Sequence, residues 1–202
     1  MVAPLTSPSP LVENLAGSWF SLGVQSYCSG DFDNAIAAYS QVLRLHPRHV
    51  PTYINRGVAY RHLQDVWAAL ADFNEAIALD ASEPKAYLNR GLAYSELGEK
   101  QSALADYNRV IELNPHYAKG YYNRGVIRSE LGYQQAAIED FSHAIALDSD
   151  YAKAYYSRGY AHQRLGETDM ARRDFYRAAR LYKQQGQDED CDLILQQADH
   201  LF

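Results

Sequence analysis

The sequence predicts an all-α fold, a right-handed α-α superhelix (solenoid) of five 34-residue helical hairpins followed by a C-terminal capping helix. Three observations carry this expectation. Blocks beginning at Ala16, Val50, Pro84, Ala118 and Ala152 align without an insertion, and self-similarity at a fixed period of this length marks stacked helical units. Within a block, apolar residues such as Ala103, Leu104, Tyr107, Val110 and Ile111 recur at i, i+1, i+4, i+7 and i+8, a helical stripe and not strand alternation. Turn residues fall where two antiparallel helices must reverse, at Gly30-Asp31, Gly98-Glu99, Gly132 and Gly166-Glu167.

Taken in order, residues 1–15 read as a disordered lead, rich in Pro and Ser and without the basic start and apolar run of a signal peptide. The repeats then span 16–49, 50–83, 84–117, 118–151 and 152–185. Each first helix opens on an aromatic residue (Trp19, Tyr53, Tyr87, Tyr121, Tyr155) and carries an invariant Gly (Gly23, Gly57, Gly91, Gly125, Gly159). Each second helix carries an Ala (Ala35, Ala69, Ala103, Ala137, Ala171), then Tyr39, Phe73, Tyr107, Phe141 or Phe175, and closes on a Leu. A helical Gly costs about 1 kcal/mol relative to Ala, so its recurrence calls for close approach of the partner helix, here expected to present its small Ala. Residues 186–202 place Cys191, Ile194, Leu195, Ala198, Leu201 and Phe202 on one face. That amphipathic helix is expected to cap the array; the other reading is a helix that docks elsewhere or mediates dimerisation.

In four repeats an Arg just before the Gly is matched by an Asp sixteen residues later: Arg56 with Asp72, Arg90 with Asp106, Arg124 with Asp140, Arg158 with Asp174. In the first repeat both slots change together, to Leu22 and Ala38. Folding about the turn sets these slots opposite each other, so an Arg–Asp bridge is expected in each of the last four repeats, either exposed and worth ~0–1 kcal/mol or half-buried and hydrogen-bonded.

Trp19-x2-Leu22-Gly23, then Ala35-x3-Tyr39 and Pro47, resemble the tetratricopeptide repeat pattern, and the resemblance covers residues 16–185. Ser26, Arg128 and His162 stand where that pattern has Tyr, and Ala81, Ser149 and Lys183 replace the inter-repeat Pro. The style is similar to that of bacterial, often cyanobacterial, arrays. The resemblance implies a protein-interaction module: an adaptor, scaffold or assembly factor that holds a peptide or helix in a concave groove. Tetratricopeptide co-chaperones that grip C-terminal carboxylates are matched only in part, by Asn55 and Lys85, while Phe20, Val24 and Asn89 depart from their clamp.

Composition narrows the partner. Nineteen Lys+Arg against 25 Asp+Glu give a net charge of -6, which argues against a counterion-release grip on nucleic acid. No apolar stretch has the ~18 residues of a membrane span. Cys28 and Cys191 form no C-x-x-C pair and read as thiols of a reducing, cytoplasmic compartment. The seven His residues show no metal-ligand spacing, and no Gly-rich phosphate loop or nucleophile elbow occurs. An enzyme, a metal and a cofactor are therefore not expected; the partner is another protein, and the chain itself a monomer or a weak dimer.

On the first helices Asn55, Asn89 and Asn123 form a ladder able to bond a peptide backbone, or else a packing slot. Lys85, Lys119 and Lys153 open three of these helices and would favour an acidic or C-terminal carboxylate ligand, solvated Lys being the alternative. Phe20, Ile54, Leu88, Tyr122 and Tyr156 form an apolar stripe, with Val24, Val58, Leu92, Val126 and Tyr160 one turn on. The expected peptide contacts are thus the three Asn, the three Lys, Leu88, Tyr122, Tyr156 and Tyr160. If the solenoid is instead structural, it self-associates through the terminal helix.

Overall fold

The computed structural model describes residues 10–199, and the chain divides into two compact units at Leu97/Gly98. The first contains α1 (Pro10–Cys28), α2 (Phe32–Leu45), α3 (Val50–His62), α4 (Val66–Leu79) and α5 (Pro84–Glu96). The second contains α6 (Lys100–Leu113), α7 (Ala118–Glu130), α8 (Gln134–Leu147), α9 (Ala152–Arg164), α10 (Thr168–Gln184) and α11 (Asp188–Asp199). Consecutive helices pack as hairpins, α1 on α2 and α3 on α4 in the first unit, α7 on α8 and α9 on α10 in the second. The expected all-α class of stacked helical hairpins is what the chain adopts, and no strand occurs among the described residues.

The turns explain the helix ends. Gly30, Gly98, Gly132 and Gly166 have φ between 76° and 87°, a left-handed conformation in which glycine meets no Cβ penalty. In the second repeat the slot is Gln64, held at φ 61°, so the same turn forms there at a steric cost. Asp31 and Asp65 then cap α2 and α4, accepting hydrogen bonds from the backbone N–H of Asn34 and Ala68.

Two boundaries differ from expectation. α1 begins at Pro10, so residues 10–15 are helical and not part of a disordered lead; Pro is well placed to open a helix, and Leu11-Val12 begin its apolar content. Residues 1–9, and Leu201 and Phe202 of the expected terminal helix, lie outside the described residues. Within α11, Cys191, Ile194 and Ala198 are buried in one cluster with Ala178, Leu181 and Tyr182 of α10, so the helix covers the face that α10 would otherwise expose.

The role of the invariant Gly also differs. A Cβ on Gly23 would lie 2.5 Å from the Tyr39 ring, on Gly57 2.6 Å from Phe73, on Gly125 2.7 Å from Phe141 and on Gly159 2.9 Å from Phe175. The closest neighbour is the aromatic ring of the second helix, not its Ala; at Gly159 the Ala171 carbonyl also comes near, at 3.1 Å. Ala35, Ala69, Ala137 and Ala171 are wholly buried beside these rings.

Candidate functional site

The Arg–Asp pairs frame the site. Arg56 donates from Nε to Asp72 Oδ2 (2.8 Å) and from Nη2 to Oδ1 (2.7 Å); Arg124 grips Asp140 at 3.0 and 2.7 Å, and Arg158 grips Asp174 at 2.7 and 2.8 Å. Of the two readings, the half-buried, two-bonded fork holds: Asp140 is 2% exposed and Arg124 17%. Such forks fix geometry as well as charge. Burial raises the Asp72 carboxyl above its usual range while the two bonds from Arg56 draw it back, and the same bonds hold Arg56 more firmly charged. Arg90 and Asp106 belong to different units.

Each of these Arg has a further partner sixteen residues earlier, which the sequence reading missed. The Nη1 group donates to Ser40 from Arg56 (2.9 Å), to Asn74 from Arg90 (2.7 Å), to Asn108 from Arg124 (2.8 Å) and to Ser142 from Arg158 (2.9 Å). For Arg56, Arg124 and Arg158 one guanidinium therefore ties the second helix of the preceding hairpin to its own. A polar residue recurring on second helices that are otherwise apolar inward was the available signal. The variable slot one turn after the Gly serves the same pair. Tyr60 and Tyr94 lie against the guanidinium of Arg56 and Arg90, at 5.9 and 5.8 Å. Arg128 instead gives Asp140 a second cation at 2.9 Å, and His162 reaches Glu167 at 2.5 Å and Asp174 at 3.9 Å. Arg128 and His162 thus replace Tyr within one network, whereas Ser26 stands in the first repeat, which has Leu22 and Ala38 in place of the pair.

Clefts open between neighbouring first helices. In the second unit a cleft of about 380 Å³ between α7 and α9 is lined by Val126, Ser129, Glu130, Tyr156, Ser157, Tyr160 and Arg164, with Phe141 at its floor. In the first unit a cleft of about 280 Å³ between α1 and α3 is lined by Val24, Tyr27, Tyr39, Asn55 and Val58. Expected residues Tyr156, Tyr160 and Asn55 therefore face clefts, as does Ser157, which takes the Asn slot in the fifth repeat; Ser129 and Arg164 are additions.

Other expected contacts sit elsewhere. Leu88 is 6% exposed and cannot face a ligand; it occupies the slot of Ile54, which is spent in the seam with Ala76 and Ala86. Tyr122 is held by the rings of Tyr151 (4.9 Å) and Phe141 (5.9 Å) and hydrogen-bonds Ser157, and its burial raises the phenol above its usual value. The Asn89 amide donates to the Lys85 carbonyl of its own helix at 2.8 Å, which consumes part of its capacity toward a peptide. Asn123 is half-buried, and Lys85, Lys119 and Lys153 are exposed.

Among the described residues no group of three or more His, Cys, Asp or Glu side chains is placed to hold a metal, and no helix is long and apolar enough to cross a membrane. Fold and clefts define a helical-repeat protein of the interaction class. Models of the tetratricopeptide repeat match residues 28–84, 84–117 and 152–185, and a TPR repeat model matches 128–166. The chain belongs to the tetratricopeptide repeat family, whose fold is in general a protein-interaction module.

No curated protein matches the chain. Among solved structures, MamA is 31% identical over 82% of this chain and 96% of that one, with a TM-score of 0.72. TTC0263, a thermophilic TPR protein of Thermus thermophilus, is 22% identical over 91% and 98%, at 0.74. YrrB, a TPR protein with an unusual peptide-binding site, is 19% identical over 82% and 86%, at 0.65. The last two share the fold.

Proposed function

We propose that this chain is a cytoplasmic adaptor or assembly factor that holds a segment of another protein in the clefts between its first helices, with no catalytic role. The observation that carries this reading is the α7–α9 cleft, in which Tyr156, Tyr160 and Val126 offer apolar surface beside the hydroxyls of Ser129 and Ser157. Apolar walls with a few placed polar groups are what a bound side chain requires. Tyr160 is 44% exposed, and an accessible aromatic set in a recess is the usual anchor of such contacts. Asn55 in the α1–α3 cleft supplies a backbone-reading amide to the same end.

The test is a photo-crosslinking residue placed at Tyr160 or, on the second-helix surface, at Glu139, in cells. Adducts with a discrete partner from the Tyr160 position and none from Glu139 are expected; the reverse pattern rejects the reading. Self-association has one observation in its favour, the exposed Leu193 of α11. A mass that rises with concentration and falls back in Leu193→Asp, measured by light scattering, would establish it.

A further inference from the structure

We infer that the segment received by the α7–α9 cleft is acidic, with two side-chain carboxylates about five residues apart and an apolar residue between them. This rests on the groove reading above and adds the chemistry of its occupant. Lys153, Tyr156, Tyr160 and Arg164 stand at i, i+3, i+7 and i+11 of α9, one continuous face of a helix. The face reads cation, aromatic, aromatic, cation. Lys153 and Arg164 are both exposed and have no ion-pair partner among the described residues.

No other first helix presents this arrangement. In the place of Arg164, α5 carries Glu96 and α7 carries Glu130, and these are neutralised by Arg61 and by Lys100 (3.1 Å). α9 holds no carboxylate, and the single one of α7, Glu130, lines the cleft already paired. Lys119, at the start of α7, adds a further exposed cation with no ion-pair partner among the described residues. A chain of net charge -6 thus reverses sign on one face, which is the complement of an anionic partner.

The spacing selects the source of the anions. Eleven residues of helix separate Lys153 from Arg164, about 16 Å at 1.5 Å per residue. One terminal carboxylate cannot reach both ends. Two side-chain carboxylates can, and an extended chain rising about 3.3 Å per residue covers that span in about five residues. The residue between them lies over Tyr160 and Val126, where its burial supplies affinity while the ion pairs fix register and quicken association.

The test titrates the full chain, by NMR, with an N-acetylated, C-amidated hexapeptide bearing Glu at both ends and Leu in the middle. Shifts confined to α7 and α9 are expected. Replacing both Glu by Gln should weaken binding about two- to thirtyfold, the range of two partly exposed ion pairs, and Arg164→Glu, which removes one pair and sets a like charge in its place, should weaken it as well. Lys in place of the peptide Glu that faces position 164 should recover binding in Arg164→Glu. A Gln peptide that binds in the cleft as well as the Glu peptide overturns the acidic inference and leaves the groove reading standing. So does tighter binding of a one-Glu peptide with a free C-terminus. Absence of shifts in α7 and α9 with every peptide overturns the inference, and the Tyr160 crosslink then decides the groove reading separately.

Discussion

Replacing Gly125 with Ala sets two known quantities against each other. The substitution removes a helical Gly, which by propensity alone gains about 1 kcal/mol. The new Cβ would lie 2.7 and 2.9 Å from Cε1 and Cδ1 of Phe141 and 3.1 Å from Cβ of Asp140. Carbon atoms rest at about 3.5–4.0 Å, so the ring must retreat by nearly an ångström. Phe141 is fully buried and Asp140 is clamped by two guanidinium groups, so neither yields freely. Overpacking of this kind costs about 1–3 kcal/mol or more, and relief through Asp140 strains its two ion pairs as well. The expected net loss is about 1–2 kcal/mol, a fall of roughly 2–8 °C in Tm for a chain of this size. Gly17 of α1 is the control: a Cβ there meets nothing within 4 Å, so Gly17→Ala should raise Tm by a few degrees. Thermal unfolding followed by circular dichroism reads both. A Gly125→Ala protein as stable as the parent, with Gly17→Ala raised, would refute the close-approach account of the invariant glycine.

Three further outcomes follow from the same contacts. Asp140→Ala leaves Arg124 and Arg128 half-buried without their shared anion, and urea unfolding should show a loss of about 3 kcal/mol, the lower end for a broken buried pair because both guanidinium groups keep some contact with water. Gln64→Gly relieves the left-handed φ of 61° but loosens the unfolded chain, so a net gain of about 0.5 kcal/mol is expected. Burial first, and then the charge of His46, holds the His49 imidazole below its usual value, with Glu13 pulling the other way. The folded chain therefore binds that proton less readily than the unfolded chain, and stability is full above the ordinary histidine value of 6.5 and lost as pH falls through it. Tm measured between about pH 7.5 and 5.5 should decline less in His49→Gln than in the parent.

Much of this was legible in the sequence. Period, turns and the Arg–Asp spacing locate the helices, because each depends on local chemistry repeated at a fixed interval. The aromatic partner of the Gly was not expected, although the same offset of sixteen that joins Arg56 to Asp72 also joins Gly57 to Phe73; the small Ala of the second helix was the expected neighbour. Leu88 and Tyr122 were placed on the groove because periodicity gives a helix face only to about a third of its circumference. Whether such a residue faces water or the seam with the next hairpin depends on helix rotation, which contacts such as those of Ile54 with Ala76 and Ala86 set. The tie from each Arg back to Ser40, Asn74, Asn108 or Ser142 was missed because it crosses between hairpins, and single-repeat reasoning never compares a slot with the repeat before it.

The shared guanidinium also states what lengthening this array from its front would take. Each Arg is a plug that needs two sockets, an Asp ahead and a hydroxyl or amide behind, and α1 offers Leu22, 43% exposed, in the plug position. A grafted repeat placed before α1 would find no donor to receive its Ser or Asn. Joining it would take Leu22→Arg and Ala38→Asp together, since Leu22→Arg alone would set a cation against buried Ala38 and Ala38→Asp alone would bury an unpaired carboxylate.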